Sequence, residues 1–123
     1  MAKTILVVDD SGTVRQQVSM ALKQAGFAIV EAADGQEALA AIESNRAIDM
    51  VVCDINMPVL NGLEMVEKVK QNPAHKALPI LMLTTEGQPS MIKRAKEAGA
   101  VGWIVKPFDA GQLVQTAKHL TKT

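Results

Sequence analysis

The sequence predicts an α/β domain built on a doubly wound, five-stranded parallel sheet of the (βα)5 type. Five short apolar runs recur along the 123 residues, and stretches with the period of amphipathic helices lie between them. Four of the runs are nearly continuous rather than alternating, which is typical of strands buried on both faces by covering helices. Strands and helices in strict alternation favour parallel strands joined by right-handed crossovers.

The strands are predicted from the apolar runs and from the residues that bound them. The runs are ILVV at 5–8, AIV at 28–30, MVVC at 50–53, ILML at 80–83 and VGWIV at 101–105. Gly26 and Gly99 stand where helix C-terminal glycines are expected, shortly before the next strand. Pro79 and Pro107 lie at strand edges, where a missing N–H is tolerated.

Each predicted helix has an apolar stripe at helical spacing. The stripes are Val14, Val18, Ala21 and Ala25; Ala38, Leu39 and Ile42; Leu63, Val66 and Val69; Met91, Ile92, Ala95 and Ala98; and Leu113, Val114, Ala117 and Leu120. Thr13 and Gln16 fit a capping box at the start of the first helix. We therefore expect all five helices to pack one face on the sheet.

Composition narrows the class of protein. A chain of 123 residues indicates a single domain, here taken as residues 1–123 without an output domain. Thirteen basic residues balance thirteen acidic ones, so no charge excess favours nucleic acid or an anionic membrane as a partner, and we expect a monomer. The chain has no apolar stretch near the ~18 residues of a membrane span, no signal peptide, and one cysteine, Cys53. These features predict a cytoplasmic protein.

Polar side chains follow four of the predicted strands. Asp9 and Asp10 follow the first, Asp54 the third, Thr84 ends the fourth, and Lys106 follows the fifth; Glu31, after the second, is assigned no role. In an open parallel sheet, ligands bind outside the carboxyl ends of the strands, so these groups should converge. Three carboxylates suit a hard cation such as Mg²⁺, and a hydroxyl with an ammonium suits an anion with several oxygens. The set predicts a phosphoryl site in which a carboxylate acts as the nucleophile.

The motifs ILVVDDS, VVCDINMPVLNG, ILMLTTEG and GWIVKPF resemble those of the receiver domains of bacterial two-component response regulators. The resemblance runs from about Lys3 to Leu120 and is strongest to the stand-alone chemotaxis regulators of the family. It implies the flavodoxin-like strand order 2-1-3-4-5. It also implies phosphorylation of Asp54 by a histidine kinase, followed by signalling to a downstream protein such as a flagellar motor or motility component.

The resemblance implies a role for each matching position. Asp10, Asp54 and the main-chain carbonyl of Asn56 would bind Mg²⁺ directly, with Mn²⁺ as a substitute, and Asp9 would bind it through water. Thr84 and Lys106 would contact phosphoryl oxygens, and Lys106–Pro107 would be a cis peptide. Trp103 would be the aromatic switch, and the fourth helix, fifth strand and fifth helix would form the output face. Asn56 and Glu86 would tune dephosphorylation.

Two positions depart from the family pattern. Asn61 stands where the family often has an aspartate before the loop glycine, Gly62, and we expect little functional change from it. Trp103 is bulkier than the usual tyrosine or phenylalanine, so its inward movement should be partial.

Several other classes of protein share part of this pattern. An aspartate-nucleophile phosphatase of the haloacid dehalogenase type uses similar groups, but its first two aspartates are normally one residue apart. A flavodoxin-like electron carrier would place flavin phosphate beside Asp9 and Asp10, which would repel it. A receiver-like scaffold would not need the intact set, whereas a phosphorelay intermediate would use all of it.

Overall fold

The computed structural model describes residues 2–44, 47–55, 61–84 and 89–122, with Thr84 described by its main chain alone. Within these ranges, five parallel strands form one sheet in the order β2-β1-β3-β4-β5. The strands are β1 (Thr4–Val8), β2 (Ala28–Ala32), β3 (Ile48–Cys53), β4 (Ile80–Thr84) and β5 (Gly102–Val105). The helices are α1 (Gly12–Gln24), α2 (Gly35–Ser44), α3 (Gly62–Gln71), α4 (Pro89–Ala98) and α5 (Ala110–Thr121). The predicted fold class and strand order are confirmed.

The register of the sheet aligns the strand ends that matter for the site. Val8, the last residue of β1, pairs with Cys53, the last residue of β3. Asp9 and Asp54 therefore leave the sheet side by side. On the other side, Thr84 of β4 pairs with Val105 of β5, so Lys106 leaves the sheet at the same edge.

Alternate residues of each strand pack into two separate cores. Ile5 and Val7 pack with α1 and α5 on one face, where Leu22 and Leu113 are fully buried. Leu6, like Val8, packs on the opposite face with α2, α3 and α4. Since the strands contact helices on both faces, their nearly continuous apolar runs are explained.

Helix α1 begins two residues earlier than the sequence predicts. Its N-cap is Ser11, whose hydroxyl oxygen accepts the main-chain N–H of Val14 at 3.3 Å. The capping box predicted at Thr13 is therefore wrong, because Thr13 lies inside the first turn. The buried face of the helix is completed by Leu22 rather than by Ala21, which is only half-buried.

Helix α3 begins directly against the end of β3. Asn61 caps it through a reciprocal capping box with Glu64, which sequence reasoning missed. The next residue, Gly62, donates its N–H to the carbonyl of Ile55 at 2.9 Å. A Cβ at position 62 would collide with the Asp54 carbonyl, so glycine allows the helix to start here.

The other helix ends follow the sequence prediction. Gly26 and Gly99 have φ values of 99° and 116°, which L side chains rarely adopt, and they close α1 and α4 as predicted. Within the described ranges, no helix is both long and apolar enough to cross a membrane.

Candidate functional site

Four charged side chains meet at the carboxyl edge of the sheet. One carboxylate oxygen from each of Asp9, Asp10 and Asp54 lies within 4.8 Å of the others. The ammonium of Lys106 lies 2.9 Å from Asp9 Oδ2 and 3.6 Å from Asp54 Oδ1. The structure thus brings together four residues that the sequence places on three different strand ends.

Asp9 is the most tightly held member of the cluster. Its side chain is buried, its Oδ1 accepts the main-chain N–H of Ser11 at 2.9 Å, and its Oδ2 accepts a hydrogen bond from Lys106. Its own N–H donates to the carbonyl of Ala32 at the end of β2. Because both oxygens already accept a hydrogen bond, Asp9 suits an indirect contact to a cation through water.

Asp54 is fixed by the main chain on both sides. Its N–H donates to the carbonyl of Val8 at 2.9 Å, which continues the pairing of β1 with β3. Its Oδ1 accepts the N–H of Ile55 at 2.8 Å, and the residue is 6% exposed. The carboxylate is therefore ordered before any ligand arrives, which suits a positioned nucleophile.

The thiol of Cys53 lies beside the cluster but takes no part in its chemistry. Burial raises the pKa of this thiol well above its ordinary value, and the negative charges of Asp54 and Asp9 raise it further. A protonated thiol is a poor metal ligand and a poor nucleophile. Among the side chains that the structure describes in this cluster, the groups available to a ligand are therefore carboxylate oxygens and one ammonium.

The donor set of the cluster fits a magnesium ion. Asp10 is exposed whereas Asp9 and Asp54 are buried, so the cluster opens towards solvent on the Asp10 side. Carboxylate oxygens at such spacing match the hard oxygen ligands of Mg²⁺, which keeps several waters when bound. Asp10 and Asp54 would hold the ion directly, and Asp9 would hold one of its waters.

The remaining predicted site residues are described only in part. Thr84 ends β4 as predicted, but its side chain, like the whole of Asn56 and Glu86, lies outside the described residues. The Lys106–Pro107 peptide is cis. Trp103 lies in β5, half-buried against the core beneath α2, α3 and α4.

One residue near the cluster has no counterpart in the sequence prediction. Arg15, in the first turn of α1, donates from Nη1 to the carbonyl of Asp9 at 2.7 Å and from Nε to Glu31 at 3.0 Å. No local pattern points to this contact, because Glu31 is sixteen residues away in sequence. The parallel pairing of β1 with β2 brings the end of β2 beside the Asp9 turn.

The chain belongs to the response regulator receiver domain family, whose model matches residues 5–118. It is 40% identical over 105 residues to the chemotaxis protein CheY1 of Helicobacter pylori, which covers 85% of each chain. The crystal structure of the Vibrio cholerae chemotaxis protein CheY4 is 43% identical, with a TM-score of 0.92 over 98% of this chain and 99% of that one.

The same fold also occurs as part of longer proteins. NtrX from Brucella abortus matches 99% of this chain at 34% identity and a TM-score of 0.89, but the match covers only 27% of NtrX. The chain is thus a two-component receiver domain with chemotaxis proteins among its relatives. Such a domain implies a histidine kinase as phosphodonor and a downstream protein target.

Proposed function

We propose that this protein is a single-domain response regulator that accepts a phosphoryl group on Asp54 in the presence of Mg²⁺. The observation that carries the proposal is the meeting of Asp9, Asp10, Asp54 and Lys106 at one edge of the sheet. Three carboxylates with one ammonium bind a cation and an anion together, which is what phosphoryl transfer to a carboxylate requires.

The transfer begins with an ordered nucleophile. An oxygen of Asp54 forms a bond to phosphorus as the bond from phosphorus to the donor's imidazole nitrogen breaks. The electron pair of that bond stays on the nitrogen, and the imidazole leaves as the neutral ring because its other nitrogen already carries a proton. Asp10 and Asp54 would hold Mg²⁺, which would supply positive charge against the phosphoryl oxygens. Lys106, which lies between Asp9 and Asp54 before the reaction, would contact a phosphoryl oxygen once the carboxylate of Asp54 has become an acyl phosphate. Thr84 would supply a second contact.

Output is proposed to travel through protein contacts at α4, β5 and α5. Two features of this region support a protein partner. Strand β5 is an edge strand whose Val105 is half exposed. Helix α4 carries a shallow groove in which Pro89 and Ile92 are bordered by Lys93, Lys96 and Glu97. An apolar surface whose border carries two cations and one carboxylate fits an amphipathic segment of a partner.

The name of the CheY relatives supports a role in chemotaxis or motility, with a flagellar motor or motility component as the target. A histidine kinase as phosphodonor supports a cytoplasmic location, and the buried free thiol of Cys53 suits a reducing compartment. A phosphorelay intermediate would use the same site, and transfer from Asp54 to a second histidine protein would reveal it.

Phosphorylation of Asp54 is tested by intact-mass measurement after incubation with a small acyl phosphate and Mg²⁺. Wild type should gain the mass of one phosphoryl group, and removal of Mg²⁺ by a chelator should abolish the gain because the negative charges then repel the donor. Asp54→Asn should gain nothing.

The matched control is Asp49→Asn, in the same strand. Asp49 lies near the opposite end of β3, where its carboxylate accepts the N–H of Thr4 at 2.9 Å, so this variant should be phosphorylated like wild type. A full phosphoryl gain by Asp54→Asn, or a gain by wild type that is indifferent to Mg²⁺, would contradict the assignment.

A further inference from the structure

Arg15 makes two hydrogen bonds at once, one to the main chain of Asp9 and one to the side chain of Glu31 at the end of β2. Nη1 donates to the main-chain carbonyl of Asp9 at 2.7 Å, and Nε donates to Glu31 at 3.0 Å. The Arg15 side chain is 24% exposed and that of Glu31 is 42% exposed, so the pair lies at the rim of the acidic cluster. Two donors on one rigid plane suit this double contact, which a lysine ammonium cannot reproduce.

The carbonyl of Asp9 is the last group before Asp10. The N–H and both carboxylate oxygens of Asp9 are held by Ala32, Ser11 and Lys106, so the carbonyl is the remaining polar group of the residue. Because a peptide is planar, holding this carbonyl fixes the plane that Asp9 shares with Asp10. Asp10 is exposed, so packing contributes little to its orientation. Arg15 therefore restrains the peptide plane from which Asp10 extends.

Arg15 also brings a positive charge to the rim of a cluster suited to a cation. An uncompensated guanidinium there would repel a metal ion. Glu31 makes an ion pair with it, so the pair as a whole is close to neutral. The end of β2 therefore contributes to the site, although its only acidic residue is not in the cluster itself.

We propose that Arg15 is a positioning residue for the metal site, holding Asp10 through the Asp9 carbonyl, and that Glu31 both orients Arg15 and cancels its charge. This inference rests on the proposed function, since it concerns the affinity of the same site for Mg²⁺. The proposal contains two separate effects on Mg²⁺ binding. The contact of Arg15 with the Asp9 carbonyl acts through geometry, whereas the compensation of its charge by Glu31 acts through electrostatics.

The test is the Mg²⁺ dissociation constant measured by calorimetric titration without phosphodonor, at low and at high salt. Arg15→Lys keeps the charge but loses the double contact. It should weaken Mg²⁺ binding about tenfold at both salt concentrations, which is at the lower end of the loss in metal affinity when a residue that orients a metal ligand is replaced. Glu31→Gln keeps the shape but leaves Arg15 uncompensated. It should weaken binding about threefold at low salt and less at high salt, because salt screens exposed charges.

A matched ion pair elsewhere supplies the control. Arg94 and Glu67 join α4 to α3 at 3.6 Å, so Arg94→Lys and Glu67→Gln make the same chemical changes away from the Asp9 turn. Neither should alter the Mg²⁺ dissociation constant. In Arg15→Lys, saturating Mg²⁺ should restore phosphorylation of Asp54 to the wild-type extent, which a general loss of structure would not allow.

Three results would overturn the inference. An unchanged Mg²⁺ dissociation constant in Arg15→Lys removes the positioning role, and a Glu31→Gln effect that ignores salt removes the charge compensation. Equal weakening in the Arg94 and Glu67 variants shows a non-specific effect. If Arg15→Lys does not fold, Glu31→Ala tests the positioning role, because it removes the acceptor that orients Arg15. It should weaken Mg²⁺ binding at high salt as well as at low salt, and an unchanged dissociation constant at high salt would overturn that role. By contrast, a wild type that neither binds Mg²⁺ nor accepts a phosphoryl group at Asp54 refutes the proposed function itself.

Discussion

At the scale of single residues, the site is held together by compensation between opposite charges. Lys106 lies between two buried aspartates, 2.9 Å from Asp9 and 3.6 Å from Asp54, and its side chain is 14% exposed. A buried carboxylate without such a partner would carry a large desolvation cost. The ammonium therefore offsets part of the cost of burying both carboxylates, and a bound Mg²⁺ would add to this compensation rather than create it.

The buried thiol beside the cluster predicts how stability depends on alkaline pH. The pKa of Cys53 is raised in the folded state, so the unfolded chain loses this proton first as pH rises. The contribution of the thiol to stability is thus complete below the unfolded pKa, near 9.0, and is lost above it. The loss is up to ~1.4 kcal/mol per pH unit.

Denaturant unfolding of wild type and Cys53→Ala, without Mg²⁺, checks this expectation. The unfolding free energy of wild type minus that of Cys53→Ala should decrease between about pH 8 and about pH 10.5, because alanine has no proton to lose. The two proteins share every other residue, so the pH dependence common to both cancels in the difference. A difference in unfolding free energy that stays constant over this range would contradict the prediction.

At the scale of elements, the helix that begins beside Asp54 depends on its cap. Asn61 Oδ1 accepts the N–H of Glu64 at 2.9 Å, and the Glu64 carboxylate accepts the N–H of Asn61 at 3.3 Å. Asn61→Ala removes the side-chain acceptor and should lower the unfolding free energy by about 1 kcal/mol. Asn61→Asp should cost less than ~0.5 kcal/mol, because aspartate caps equally well and favours the positive end of the helix.

The measurement for this pair of variants is the unfolding free energy from urea titration, combined with Asp54 phosphorylation. We expect Asp54 in Asn61→Asp to be phosphorylated like wild type, since residue 61 is outside the acidic cluster. Equal stability of the alanine and aspartate variants would show that the capping box does not stabilise α3.

Secondary structure was predictable wherever hydrophobic periodicity determined it. Strands β1 and β4 match their apolar runs to within one residue, whereas β3 starts at Ile48, before the polar Asp49 that interrupts its pattern. The cap of α1 was mispredicted because Thr13 and Ser11 are both good N-caps, and only the turn formed by Asp9 selects Ser11. Local sequence does not contain that contact with the site.

At the scale of the whole molecule, the site must influence a surface that partners can reach. Trp103 lies in β5 opposite Met82 of β4, two residues before Thr84. Its indole Nε1 is buried, with no hydrogen-bond partner among the described residues. A buried N–H without a hydrogen bond costs ~1–3 kcal/mol. A rotamer in which the indole N–H found an acceptor would recover this cost. The tryptophan is therefore a candidate two-state element.

Trp103 is the only tryptophan of the chain, so its fluorescence reports this position alone. A stable phosphoryl mimic with Mg²⁺ should change its intensity or its access to a quencher, beyond the effect of Mg²⁺ alone. The change should be partial, because a large indole overpacks the core by ~1–3 kcal/mol if it turns fully inward.

The response of Trp103 should vanish in Asp54→Asn and shrink in Thr84→Ala, which removes the hydroxyl expected to move towards the phosphoryl group. If the mimic binds while emission and quenching stay the same, Trp103 is not the switch. Output would then travel through α4 or the chain that precedes it.

Most of the site was also predictable, because the carboxyl ends of parallel strands must meet at one edge. That rule alone placed Asp9, Asp10, Asp54 and Lys106 together. The role of Arg15 was not predictable, because its partner Glu31 ends a different strand and each contact depends on side-chain direction. Sequence pattern specifies where a strand ends, but not which side chains reach across to a neighbouring turn.

The acidic cluster lies at the strand ends, apart from the exposed face of α4, and this separation has an evolutionary consequence. The acidic cluster depends on the sheet and on the turns that follow it, whereas Arg94 and Lys93 on α4 are well exposed. Substitutions on such exposed helix positions usually change stability by less than ~0.5 kcal/mol. Descendants of one gene can thus change the helix surface that a partner protein contacts while they keep the same acidic cluster. Duplicated copies can then acquire different partners without any change at the carboxyl edge of the sheet.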